Sequence, residues 1–517
     1  MKKTLYLAVF FSGMTSLAVE MAASRLLGNV FGTSNIVWAS IIGLILIYLA
    51  IGYFLGGYWA DRSPSTKTFY RILIWASLLI AIVPVISRPV LRIAADAFDQ
   101  LQLGILFGSF TAILILLSIP ITLLGTASPF AIRLALQGRN DVGKISGRIY
   151  GISTLGSFIG TFSPVLILIP TIGTYQTFLF FSGVLLIISL VCYGIADGWR
   201  AIIPFLWTPF LIIALAIWGL PGNVKSTSGL IYETESSYNY IQVLEKDNFR
   251  LLRLNDGQGI HSIYHPTQQN YFGAWEQVLV GPFFNPAPHF PENIQRIAIV
   301  GLAAGTTARQ ATIAFGEIQI DGYEIDPYIV EVGKEFFEMN QTNLNVIIQD
   351  GRWGLSQSKY LYDIISVDAY RPPYIPWHMT TIEFFDIVFQ HLTEDGVLVI
   401  NVGRSPTDRR LIDALSSTVL QVFPTVHIID IPYTFNSIIF ATAQHTDPIN
   451  LSENLAFLEA QNDTPMILIE SMRLAAENLQ SDPPSSLVFT DDRAPIEWIT
   501  NTMIFNFLLS DDMEIIQ

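Results

Sequence analysis

The chain has 517 residues, of which 51% are apolar and only 14% charged. A typical soluble protein is roughly 25% charged, so part of this chain belongs in a membrane. A formal charge of −15 without a basic stripe argues against a nucleic-acid partner, and the single cysteine, Cys192, rules out a disulfide scaffold.

Seven apolar stretches, near 4–27, 36–60, 69–87, 103–125, 147–170, 174–196 and 201–220, match the about 20 residues that a helix needs to cross a bilayer. Residues 1–220 therefore read as a multi-pass transmembrane helical bundle of about seven spans, with the lipid bilayer as a partner. The first stretch is too long for a signal peptide and no clear cleavage site follows it. Gly151, Ser153, Gly156, Ser157 and Gly160 recur at helical spacing, which lets helices approach closely. Glu20 and Arg25 sit late in the first stretch. They are either functional intramembrane charges or a pair snorkelling at a helix end. The run Gly56 to Arg62, GGYWADR, resembles the loop after the second helix of major facilitator transporters.

Residues 221–293 read as a linker, a small antiparallel sheet and a helix. YNYIQVLE, FRLLRLND and GIHSIYH alternate with period two, with Asp256-Gly257 as a turn between runs. NYFGAWEQVLVGPF is helix-compatible. Residues 294–517 read as a Rossmann-like α/β domain. The strand RIAIVG turns through Gly301, Ala303 and Gly305 into the helical run TTARQATIAF, and the strand IQIDGYEID follows. Strand, glycine turn, helix and strand ending in an acid open a doubly wound sheet, which binds ligands outside the carboxyl ends of its strands. Asp326-Pro327 is a helix start. HMTTIEFFDIVFQHL reads as a helix and GVLVINVG as a fifth strand. VHIIDIP and SIIFATAQ read as an antiparallel closing pair, and 451–480 as helical.

Several candidate ligand contacts fall at predicted strand ends. At the second strand end, Glu324 can accept hydrogen bonds from both hydroxyls of a ribose. Asp350, followed by Gly351, can accept from an adenine amino group, and Asp368 closes the fourth strand. An acid on the third strand as well as the second, without G-x-G-x-x-G, favours an adenosyl-sulfonium ligand over a dinucleotide. His261, His265 and His289 lack metal-ligand spacing and read as loop residues, so no metal is expected.

Through IVGLAAG, YEID, IIQDG and YDIISVDAY, residues 230–500 resemble the spermidine synthases, the polyamine aminopropyltransferases. IPWHMTTIEFF and FTDDRAPIEW look characteristic of a branch in which a transporter-like bundle precedes the enzyme domain. The resemblance implies an S-adenosylmethionine-type transferase fold. It also implies transfer of an aminopropyl group from decarboxylated S-adenosylmethionine to an amine or polyamine. It assigns donor binding to Tyr238, Gly301, Gly305, Glu324, Asp350 and Gly351, with Tyr238 standing where the family has a glutamine. Asp368 becomes the proton acceptor, and Trp275, Glu276, Tyr370, Arg371 and Pro376 the acceptor contacts.

Three positions depart from the family: Ala304 and Arg371 replace acids, and Trp275 replaces a histidine. A guanidinium repels an ammonium group and suits a carboxylate. The alternatives are therefore a transferase using intact S-adenosylmethionine or a carboxylate-bearing acceptor, and a non-catalytic sensor or regulatory domain of a transporter. A homo-oligomer stays open. The positive-inside rule places Lys2, Lys3, Arg62, Lys67, Arg71, Arg133, Arg139, Lys144 and Arg148 on the cytoplasmic side of the plasma (inner) membrane. Seven crossings then leave the enzyme domain outside, whereas a cosubstrate made in the cytoplasm expects it inside. A re-entrant 201–220 segment would reconcile the two, and a cytoplasmic domain is the expectation.

Overall fold

A computed structural model describes residues 2–31, 35–101, 105–136, 141–218, 227–255, 259–370, 375–405, 408–461, 463–481 and 485–509. The chain divides into two compact units, Met1–Thr227 and Ser228–Gln517. The Asp256-Gly257 turn and Arg371 lie outside the described residues.

The first unit is helical: α1 (Lys2–Phe31), α2 (Asn35–Arg62), α3 (Thr66–Leu101), α4 (Ile105–Gly125), α5 (Ala127–Leu136), α6 (Val142–Ser163), α7 (Ile169–Asp197) and α8 (Trp207–Trp218). Among the described residues five helical runs are long and apolar enough to cross a membrane, or six if the bent pair Trp199–Phe205 and Trp207–Trp218 counts as one. The count differs from seven because the stretches expected at 147–170 and 174–196 join into one run, Val142–Asp197, of 56 residues. At about 1.5 Å per residue such a run would be about 84 Å long if straight, well beyond a hydrocarbon core of about 30 Å. It is not straight: a π-helical turn over Pro164–Leu168 is followed by Gly173 at φ 77° and ψ 168°, a left-handed position open to glycine.

Small residues decide where these helices touch. A Cβ on Gly156 would lie 2.0 Å from the Phe10 carbonyl oxygen, and one on Gly160 2.0 Å from that of Met14. Ser157 Oγ donates to the Gly13 carbonyl at 3.1 Å. Gly151, by contrast, has nothing among the described residues within 4 Å of its Cβ position. Gly52 and Gly56 of α2 meet Thr122, Gly125 and Thr126 in the same way. Asp61 and Arg133, from α2 and α5, pair at 2.9 Å.

The second unit begins with a four-stranded antiparallel sheet: β1 (Leu230–Glu235), β2 (Tyr240–Lys246), β3 (Phe249–Leu254) and β4 (Ile260–Tyr264). The β2–β3 hairpin turns on Asp247 and Asn248, both at positive φ (51° and 67°), as a two-residue turn of matching twist requires. The helix expected after it is a four-residue α9 (Ala274–Gln277) continuing into a 3-10 segment, Val278–Phe284, that contains Pro282.

The main sheet follows. Its elements are β5 (Arg296–Val300), α10 (Thr306–Phe315), β6 (Gln319–Glu324), α11 (Pro327–Phe336), β7 (Leu344–Ile348), α12 (Gly351–Ser356) and β8 (Tyr362–Val367). Then come α13 (Ile382–Gln390), β9 (Leu392–Gly403), α14 (Arg410–Val419), β10 (Thr425–Asp430) and β11 (Asn436–Thr442). The chain closes with α15 (Ile449–Glu459), α16 (Met466–Glu477), β12 (Leu479–Gln480) and α17 (Ile496–Leu509). The strand order is β12-β10-β11-β9-β8-β5-β6-β7. β5 to β9 are parallel, while β11 runs antiparallel to both β9 and β10.

Alternation builds two cores. Ile297 and Ile299 join Ala308 and Ala311 of α10 on one face, while Ala298 and Val300 join Phe384 and Phe385 of α13 on the other. With both faces covered, β5 reads as a continuous apolar run. The helix expected to start at His378 begins instead at Ile382, because Thr381 caps it by accepting from the Phe384 amide. A 3-10 turn, Trp377–Met379, precedes it. The small sheet packs Ile241, Val243 and Leu252 against Ala304, Ile329 and Val332.

Candidate active site

The chain order reverses at β5, whose neighbours are β6 and β8. A crevice at such a point is where a doubly wound sheet binds its ligands. A cavity of about 460 Å³ opens there, within the about 300–1,000 Å³ of small-molecule sites. Tyr238, Gly301, Glu324, Asp350, Gly351, Asp368, Tyr370 and Pro376 line it, together with Ser237, Asn239, His261, Gln349 and His378.

Gly301 must be glycine for two reasons. Its φ is +92°, and a Cβ would lie 2.5 Å from the Asp368 carbonyl oxygen. The first turn and the end of β8 are therefore in backbone contact, and the Asp368 amide donates to the Val300 carbonyl at 2.9 Å. The amides of the turn are all used internally. Gly301 and Leu302 donate to the Tyr323 carbonyl, and Gly305 to Leu302. Ala303 donates to Glu324 Oε2 at 2.9 Å and Ala304 to Ser262 Oγ at 2.9 Å.

Glu324 is buried and takes a second amide, that of Asp326, on Oε1 at 3.0 Å. Burial pushes its carboxyl up to about 7, against the lowering by those amides. Each carboxylate oxygen has two lone-pair directions, so both can accept another donor from the cavity. Asp350 caps α12 through the Trp353 amide at 3.0 Å, and its other oxygen meets His378 Nε2 at 3.1 Å. That histidine contact, more than any other, holds the Asp350 carboxyl below its usual range.

Asp368 Oδ1 accepts from Asn401 Nδ2 at 2.9 Å. The Asn401 amide is oriented in turn by Asn436 Nδ2, which donates to its oxygen at 2.9 Å. Tyr370 braces the same strand, its hydroxyl donating to the Asn401 carbonyl at 3.2 Å and accepting from the Gly403 amide at 2.6 Å. Enclosure by protein pushes the Asp368 carboxyl up to about 6, with Asn401 opposing. Among the described lining residues there are three carboxylates and no lysine or arginine.

Three expected site residues do not line the cavity. Gly305 starts α10 at φ +81°, and a Cβ there would meet the Met339 side chain at 2.6 Å, so its glycine serves packing. Glu276 is buried, and its carboxylate accepts from the Tyr271 and Gly273 amides (2.6 and 3.0 Å) and Gln310 Nε2 (2.6 Å). The Trp275 ring lies against Gly273. Ala304 is buried beside β4 and is likewise absent from the lining. Arg371 lies outside the described residues.

His261 corrects the sequence reading in the other direction. It belongs to strand β4 rather than a loop and lines the cavity. Its Nε2 is buried without a hydrogen-bond partner among the described residues, and burial lowers its pKa to about 4, leaving the ring neutral. His265 does sit in a loop, its Nδ1 accepting from the Gln268 amide at 3.0 Å. His378 lies inside the stretch IPWHMTTIEFF, and that placement was its only signal in the sequence. Asn401 gave none, because its role depends on partners 33 and 35 residues away.

Comparison with known proteins identifies relatives of the second unit. Residues 286–453 match the family described as the spermine/spermidine synthase domain. A protein of Bifidobacterium longum named as a probable polyamine aminopropyl transferase is 30% identical over 295 residues, 54% of this chain; the match spans 64% of that relative, just under two thirds. The polyamine aminopropyltransferase of Vibrio vulnificus is 31% identical over 217 residues, 40% of this chain and 69% of its own length. Among solved structures, the spermidine synthase of Thermotoga maritima aligns with a TM-score of 0.36 at 19% identity, covering 47% of this chain and 88% of that one. Because the Vibrio vulnificus relative is 31% identical and matched over 69% of its length, the chain belongs to the spermine/spermidine synthase (polyamine aminopropyltransferase) family.

Proposed function

We propose that the protein is a membrane-anchored aminopropyltransferase. It would move an aminopropyl group from decarboxylated S-adenosylmethionine to an amine acceptor, with its soluble domain on the cytoplasmic side. The observation that carries this reading is the position of Asp368, enclosed at the end of β8 and aimed by Asn401 into the cavity that Glu324 and Asp350 line. Glu324 would take the ribose hydroxyls and Asp350 the adenine amino group. The internally bonded glycine turn supports a nucleoside with an uncharged or cationic tail. A dinucleotide would need those amides for its pyrophosphate. With Glu324 and Asp350 on the nucleoside, Asp368 is the lining carboxylate left to hold a cationic amine.

The chemistry follows from the charges. An amine is protonated and inert at neutral pH. A carboxyl that titrates near 6 can hold the ammonium group and take its proton near the working pH. The freed nitrogen then bonds to the carbon beside the sulfonium. The carbon–sulfur bond breaks with its electron pair on sulfur, releasing the neutral thioether nucleoside. Holding the two reactants in line supplies much of the acceleration.

Full-length protein in detergent, incubated with decarboxylated or intact S-adenosylmethionine and a panel of putrescine, longer polyamines and ornithine, tests the reading by mass spectrometry. Putrescine with the decarboxylated donor is expected to be the best pair. Transfer only from the intact donor, or only to a carboxylate-bearing amine, would replace the reading by the alternative that the sequence of Arg371 suggested.

A further inference from the structure

Two stretches that the sequence sets apart, 376–383 and 489–493, meet behind the Asp350 side of the cavity. Arg352 lies between them. Its Nη1 and Nη2 donate to the two carboxylate oxygens of Asp491, both at 2.7 Å, and Nη1 also donates to the His378 carbonyl at 2.8 Å. Thr381 Oγ1 donates to Asp491 Oδ1 at 2.7 Å, and the Asp491 amide donates to Glu383 at 3.0 Å. The Ile382 amide reaches the Phe489 carbonyl at 3.0 Å. On the cavity side of the same turn, His378 Nε2 faces Asp350 at 3.1 Å.

We propose that Asp491 is a positioning residue for ligand binding, acting through Arg352 and His378 on Asp350. The proposal rests on the reading of this cavity as the nucleoside site. A three-residue 3-10 turn has few internal bonds to hold it, so the direction of the His378 ring depends on what grips its backbone. Arg352 supplies that grip, and a planar guanidinium is fixed best by a two-oxygen partner. Asp491 is that partner. One oxygen of Asp350 is committed to capping α12, so the histidine decides how the other is presented. A simple surface clamp would account for the ion pair but would contribute little, since Asp491 is 40% exposed. It would leave ligand affinity unchanged.

The test is calorimetry of the full-length protein with 5′-methylthioadenosine. Asp491→Asn and Arg352→Lys are each expected to weaken binding about tenfold with little change in melting temperature. Asp491→Glu should retain more affinity than Asp491→Asn. His378→Ala should show a similar loss, and the Asp491→Asn/His378→Ala double variant should be no weaker than His378→Ala alone, as for residues acting in one chain. Loss of the histidine's grip should also move the acid limb of binding to higher pH, because Asp350 loses the donor that keeps it ionised. Affinity within twofold of wild type for Asp491→Asn, or additive losses in the double variant, overturns the proposal; if Asp491→Asn does not fold, Arg352→Lys decides. Failure of the wild type to bind the nucleoside is a different result, which removes the site reading and the proposal with it.

Discussion

Asp368 is held by the Asn401 amide in surroundings that resist its charge, and this sets two expectations of opposite sign. Its carboxyl titrates near 6 in the fold against 3.8 ordinarily. Ionisation is therefore costlier in the folded state, so stability is greatest below the ordinary value and is lost as pH rises through 6. The loss at pH 8 is of the order of 3 kcal/mol. Asp368→Asn removes it, so the variant should melt at a higher temperature than wild type at pH 8, with the advantage shrinking below pH 6. An amide cannot accept the proton, so turnover should fall by about 10²–10⁴-fold while nucleoside affinity stays within a few-fold. Thermal melts at two pH values and single-turnover assays check both halves. An unstabilised variant, or one with normal turnover, contradicts the role given to this group's enclosed carboxyl. Glu324→Ala should leave the domain folded but, at pH 8 where a carboxyl raised to about 7 is ionised, cost about 1.5–3 kcal/mol or more of nucleoside affinity, the value of hydrogen bonds to a charged group. Methylthioadenosine binding near the wild-type level would remove Glu324 from the site.

At the scale of elements, what the sequence could tell was what local order could encode. The run β5, glycine turn, α10, β6 is contiguous, and Gly301, Glu324, Asp350 and Asp368 sit at strand ends that alternation and apolar runs mark. Family resemblance placed Glu276 in the site, but its carboxylate satisfies nearby amides and Gln310 instead. Asn401 and the Arg352–Asp491 clamp join residues 33 and 139 apart, distances over which a single sequence carries no pairing signal. The long apolar helices of the first unit show the same split. Small-residue spacing on α6 announced a close approach, but it could not say which glycines face α1. Gly156 does, and Gly151 has nothing among the described residues within 4 Å. Gly156→Ala should push α1 and α6 apart at a cost of about 1–3 kcal/mol for overpacking, more than the gain of up to about 1 kcal/mol in helix propensity. Gly151→Ala should be neutral or slightly stabilising. Melting of the detergent-solubilised variants checks this, and equal effects at the two positions would contradict the assigned helix contact.

For the whole molecule, the first unit's surface sets its solvent. Phe54 is 81% exposed, Leu166 68%, Ile119 61% and Leu46 60%, and these lie in the runs long and apolar enough to cross a membrane. In water, exposed apolar area of this extent would drive association; in lipid it needs no cover, while each helix satisfies its own backbone groups. Charge cannot be the main attraction, since the formal charge of −15 opposes binding to anionic lipid surfaces. The protein should therefore stay with the membrane fraction after washing at high salt, which screens surface charge within a few ångströms. It should require detergent for extraction. Sedimentation of washed membranes followed by detection of the full-length chain checks this. Release by salt alone would mean that the apolar helices pack against one another or against a partner rather than against lipid.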